Sequence, residues 1–160
     1  MLAGIRESHA AEIRTRYEHA AKSCETCETK GACCLDAHFV NVHITPLEAR
    51  AIKNVLAKLP EERQQAVYQR VDETVRRFGL CGPGDTFART YACPLFEKGT
   101  GCLVHDEAKP LPCIQHACYE NEADMPPDAI LNAREHEIGR LNTRTYGKPQ
   151  ACLPLPAAIS

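Results

Sequence analysis

No stretch of this 160-residue chain is apolar over the roughly 20 residues that a helix needs to span a bilayer. The N-terminal Met1-Leu2-Ala3-Gly4-Ile5-Arg6-Glu7-Ser8-His9 lacks the apolar core of a signal peptide, and charges recur through the first twenty residues. Both absences predict a cytoplasmic protein with no membrane partner, held in a reducing compartment where disulfides rarely persist. A concentrated basic surface is missing too. Nineteen Lys and Arg against 21 Asp and Glu leave a formal charge of −2, with a pI near 6.4. Arg70, Arg76 and Arg77 lie among Glu62, Asp72 and Glu73, which reads as a solvated helix face. Nucleic acid is therefore not an expected partner, because phosphate binding needs clustered cations.

Catalytic signatures are equally sparse. Gly82-Pro83-Gly84 is followed by neither lysine nor a helix start, so it is not a phosphate loop. Asp85, Asp106 and Glu107 have no partnered base at a recognised spacing. Cys24-x2-Cys27 lacks the flanking βαβ pattern of a thioredoxin-like dithiol. These absences leave open whether the protein is an enzyme.

What the chain has in quantity is cysteine. Eight of its ten fall into two groups: Cys24, Cys27, Cys33 and Cys34, then Cys93, Cys102, Cys113 and Cys118. Thiols this dense in a reducing compartment are soft ligands, which select zinc, copper(I) or iron–sulfur clusters. Cys24-x2-Cys27 has the spacing of a metal knuckle, and Cys113-x4-Cys118 also lies within ligand-pair range. Adjacent side chains point apart, so Cys33 and Cys34 are not both expected on one mononuclear ion. Either one faces the core, or they serve two sites, or they bind different irons of one cluster. His38, His43, His105 and His116 are further candidates, each weighed against an ordinary surface or hydrogen-bonded histidine. Cys81 and Cys152 fall outside both groups and read as small apolar residues.

The ordered succession of these cysteines, with Cys93-Pro-Leu-Phe, Gly101-Cys102-Leu-Val-His-Asp and Lys109-Pro-Leu-Pro-Cys113, resembles the YkgJ-type cysteine-cluster family over about residues 24–118. The resemblance implies a zinc- or iron-chelating domain in which all eight cysteines are candidate ligands, and in some members an iron–sulfur cluster. This chain departs from the family pattern in three places: five residues separate Cys27 from Cys33, His105 replaces an aromatic residue, and Lys109 and Ile114 replace arginines. The bacterial ferredoxin run C-x2-C-x2-C is absent. Eight thiols nevertheless exceed the four of one zinc site. The expected cofactor is an iron–sulfur cluster, with [4Fe–4S] as a candidate and Zn2+ as the alternative. The expected roles are structural or electron-carrying beside a protein partner, with a metal-dependent modification enzyme or a metal carrier as alternatives.

The expected fold is mainly α: one small helical domain over 1–160, with a loop-rich, metal-stapled segment and at most one short strand pair. A helix from about Glu7 to Lys22 places Ala10, Ile13, Tyr17 and Ala20 on one face. Val40, Val42 and Ile44 alternate with Asn41 and His43 in a short strand. Thr45-Pro46-Leu47-Glu48 has the composition of a capping box, opening a helix with Leu47, Ala51, Val55 and Leu59 inward. After Pro60, a second helix with Tyr68, Val71, Val75 and Phe78 inward should stop at a left-handed Gly79. Glycine and proline break every periodic run from Leu80 to Asn121, leaving it little core of its own. A last helix is expected from Pro126-Pro127-Asp128 to about Leu141, and the apolar tail Leu153–Ser160 should lie against the body or a partner.

Overall fold

The computed structural model describes residues 1–22, 31, 34–35, 41–82 and 85–160. The fold is mainly α, as the sequence implies. Six α-helices are present among the described residues: α1 (Leu2–Arg16), α2 (Pro46–Leu56), α3 (Glu61–Phe78), α4 (Leu111–Gln115), α5 (Asp128–Tyr146) and α6 (Leu155–Ile159). Among the described residues the strands form three antiparallel pairs of two residues each, where at most one pair was expected. These are β1 (Ala21–Lys22) with β5 (Cys118–Tyr119), β2 (His43–Ile44) with β6 (Leu153–Pro154), and β3 (Phe96–Glu97) with β4 (Gly101–Cys102). Among the described residues no helix is long and apolar enough to cross a membrane.

The chain forms two compact units interleaved in sequence, one from Met1–Lys30 with Lys109–Gln150, the other from Gly31–Ala108 with Ala151–Ser160. In the second unit, α2 begins with the expected capping box. The Thr45 backbone N–H and hydroxyl both donate to Glu48 Oε2 at 2.9 Å, and Glu48 N–H donates to Thr45 Oγ1 at 3.3 Å. The buried face is Ala49, Ile52 and Leu56, one position out of phase with the expected Leu47–Ala51–Val55–Leu59 stripe. Both stripes obey helical periodicity, and the choice is made by what the helix meets. The apolar tail supplies it: α6 packs on α2 and α3, burying Leu155, Pro156 and Ile159. Leu155 N–H donates to the Val42 carbonyl at 2.8 Å, continuing the β2–β6 pairing.

Helix α3 buries Val67 and Val71 fully, while Tyr68, Val75 and Phe78 are half-buried. It ends at Gly79 with φ 60° and ψ 39°, the left-handed stop the sequence implied. Arg89 adds a second cap, donating from Nη1 to the Phe78 and Gly79 carbonyls at 2.5 and 2.6 Å. One expectation is corrected here. The segment after Gly79 carries core of its own, because Leu80, Tyr91, Leu95, Val104 and Ala108 are all buried. They lie at irregular spacings on turns, so neither helical nor strand periodicity reveals them.

In the first unit α1 starts at Leu2 and stops at Arg16, earlier at both ends than expected, and α5 runs past Leu141 to Tyr146. Helices α1, α4 and α5 pack on one another. The inward face of α1 is Arg6, His9 and Ile13 rather than the Ala10–Ile13–Tyr17–Ala20 stripe. Arg6 Nε donates to the Lys109 carbonyl at 2.9 Å, seating this face on the residues that lead into α4. From α5, Arg134 Nη2 reaches Ser8 Oγ and Glu12 Oε2, both at 3.3 Å. Polar residues occupy this face because their polar ends find partners, which a hydropathy pattern cannot foresee.

His9 is the exception. It is fully buried, and among the described residues neither ring nitrogen has a hydrogen-bond partner. Burial, reinforced by the nearby Arg134 charge and opposed by Glu12, holds the imidazole below its ordinary pKa of 6.5. It is neutral when folded and takes up a proton when unfolded, so stability is full above pH 6.5 and falls as the solution is acidified below that value. The expected slope is at most about 1.4 kcal/mol per pH unit for one such site. His9→Leu should flatten the pH dependence of urea unfolding between pH 8 and 5.5. An unchanged pH profile in that variant would assign the effect elsewhere.

Candidate metal centre

Backbone geometry in the second unit joins the end of the first cysteine group to the start of the second. Gly31 opens a turn at φ 83°, closed by a Cys34 N–H to Gly31 carbonyl bond of 2.8 Å. The Cys34 carbonyl in turn accepts from Cys93 N–H at 2.8 Å. From Cys93 the chain enters a hairpin, with Phe96 N–H donating back to the Cys93 carbonyl at 3.1 Å. Phe96 is the register partner of Cys102, and Leu103 N–H donates to the Leu95 carbonyl at 3.0 Å. Gly99 and Gly101, at φ 86° and 95°, supply the turn. Cys34, Cys93 and Cys102 are thus carried on directly bonded segments, and all three are half-buried.

Side-chain packing reinforces the junction. A Cβ built on Gly31 would run into the Phe96 ring, so glycine lets the backbone at this turn approach the hairpin. The hairpin itself is held by α3. Arg63 Nη2 donates to Glu97 Oε2 at 2.7 Å and Arg70 Nη2 to Glu97 Oε1 at 3.1 Å. Arg70 Nε also donates to the Pro94 carbonyl at 3.0 Å, one residue beyond Cys93. The hydrogen bond from Arg63, joined by Arg70, keeps the Glu97 carboxyl below its usual value against the opposing effect of burial. Arg70 is therefore not the purely solvated residue its sequence neighbours suggest.

In the first unit Cys113 is half-buried on α4, between the buried Leu111 and Gln115. Cys118 begins β5, where it is exposed and in register with Lys22, two residues before Cys24 in sequence. His116, between these cysteines, is held below its ordinary pKa by burial and then by the Lys109 charge.

The expected ligands Cys24, Cys27 and Cys33, and the candidate His38, lie outside the described residues. Among the described residues no disulfide forms, and no three His, Cys, Asp or Glu side chains close on one metal-sized point. The donor chemistry fits a thiophilic metal: Cys34, Cys93, Cys102 and Cys113 offer soft sulfur that is partly shielded from water. His43 is engaged structurally. Its Nδ1 lies 3.2 Å from the Asn41 carbonyl, its Nε2 2.9 Å from Thr86 Oγ1, and its ring stacks on Phe87 with centroids 3.8 Å apart. His105 is exposed. Cys81 and Cys152 are exposed rather than packed in the core.

Sequence reasoning missed Gly31, Arg63, Arg70 and Glu97. A glycine inside a cysteine group and the turn signal Glu97-Lys-Gly-Thr-Gly101 were available clues. The two arginines, by contrast, are indistinguishable in sequence from solvated ones. No protein-family model, no curated protein and no solved structure matches this chain.

Gly31→Ala tests the junction. A left-handed alanine together with the collision against Phe96 should destabilise the second unit by more than about 1 kcal/mol. Gly99→Ala meets no neighbour and carries only the conformational strain. Equal stability losses in the two variants, measured by chemical denaturation, would mean that the Gly31–Phe96 contact contributes nothing.

Proposed function

We propose that this chain binds a metal centre through cysteine thiolates, with an iron–sulfur cluster as its cofactor and a structural or electron-carrying role beside a protein partner. The observation that carries this reading is the Cys93 N–H to Cys34 carbonyl bond, which joins the backbones of two cysteines separated by 58 intervening residues. A turn that must accommodate Gly31 against Phe96 for this to happen supports it further. Cys34, Cys93 and Cys102 are the candidate ligands described in the second unit, Cys113 and Cys118 those described in the first, and Cys24, Cys27 and Cys33 complete the candidate set. When bound, the group supplies a cross-link between turns and, for iron–sulfur, a one-electron store. The chain's own contribution is to present Cys34, Cys93 and Cys102 on short hydrogen-bonded segments, half-buried from water.

Energetics favour this role for a metal. A structural site contributes roughly 10 kcal/mol or more in small domains, comparable with a whole domain's net stability of about 5–15 kcal/mol. The zinc reading rests on the two ligand pairs, Cys24-x2-Cys27 and Cys113-x4-Cys118, which together make four thiolates.

Purification without oxygen should yield brown protein with stoichiometric iron and sulfide. Cys34→Ser, Cys93→Ser and Cys113→Ser should lose the metal, while Cys81→Ala and Cys152→Ala retain it. Colourless protein with tightly held zinc and no sulfide decides for the zinc reading. Equal retention across all five variants would remove the thiolate site altogether.

A further inference from the structure

We propose that Arg70, acting through Glu97 and the Pro94 carbonyl, is the positioning residue that sets the spacing of the Cys93 and Cys102 thiols, an inference that rests on the metal-binding function above. The hairpin from Cys93 to Cys102 has little stiffness of its own: two ladder pairs and a turn built on two left-handed glycines. Its geometry must be imposed from outside. One guanidinium grips it at two points, through Nε on Pro94 beside Cys93 and through Nη2 on Glu97, whose cross-strand partner Gly101 precedes Cys102. Arg63 takes the other Glu97 oxygen, so the carboxylate is fixed from both sides.

The anchor for this grip is α3, whose Val67–Val71 face is buried and whose end is capped by Arg89. A planar fork with donors in fixed relative directions can span two acceptors at once; a lysine ammonium on a flexible stem cannot. Partners beyond the ligands themselves orient ligands in metal sites, and their removal costs about 10–100-fold in metal affinity.

The test uses the full chain purified without oxygen, with iron, sulfide and zinc quantified. Alkylation of each cysteine is followed by mass spectrometry before and after a chelator. In the wild type the metal should protect Cys93 and Cys102. In Arg70→Lys and in Glu97→Gln, alkylation of these two thiols in the loaded protein should rise about tenfold or more, with Cys81 unchanged. The double variant should lose less than the sum of the two single losses, because the Arg70–Glu97 contact is removed in both, whereas general destabilisation would add. Metal protection equal in wild type and variants overturns this proposal alone. So does an additive double variant. Absence of any metal protection in the wild type overturns the metal-binding reading and this proposal with it.

Discussion

Ordering the stretch from Leu80 to Ala108 is the constraint on which the second unit turns. Gly82, Gly84, Gly99 and Gly101 leave it no regular element longer than two residues among those described. Each ordered residue costs on the order of 1–2 kcal/mol in backbone entropy. The offsetting interactions come from two directions. Leu80, Tyr91, Leu95 and Val104 plug irregularly into the core, and α3 grips the hairpin through Arg63 and Arg70. Those arginine contacts are partly exposed, so they direct the chain more than they stabilise it. A metal on the cysteines would add its contribution to a segment that already has a folded reason for its path.

The local signals in the sequence were legible and the nonlocal ones were not. The Thr45–Glu48 capping box and the Gly79 stop involve residues within one turn, so their chemistry is complete in the sequence. The phase of α2 is different. Leu47, Ala51 and Val55 and the observed Ala49, Ile52 and Leu56 are both valid helical stripes, and the packing of α2 on α6, a hundred residues on, favours the second. On α1, Arg6 and His9 face inward because the residues before α4 and the packing of α5 receive them, and nothing in their own neighbourhood indicates that.

For the candidate site, the same division holds. Residue type identifies soft ligands, and spacing identifies pairs that a turn can bring together. What spacing cannot express is that Cys34 and Cys93 share a backbone hydrogen bond, or that Gly31, inside the first group, admits the Phe96 ring. Arg70 shows the reverse case. Surrounded by acids in sequence, it looks like one charge of a solvated face, yet its useful acceptors lie beyond the end of its helix.

Interleaving of the two units has a consequence for how the molecule comes into being. Residues 109–150 complete the unit begun by 1–30, and residues 151–160 complete the one formed by 31–108. Neither unit can close on the ribosome as its first segment emerges. The strand at His43–Ile44 waits for Leu153–Pro154, and the apolar faces of α2 and α3 wait for α6. Such long-range closures are slow relative to local helix formation. All ten cysteines are translated before Leu153 is available to pair, so they precede the closure of the second unit. A nascent chain of this topology presents its thiols to metal, oxidant or chaperone well before it presents a finished fold.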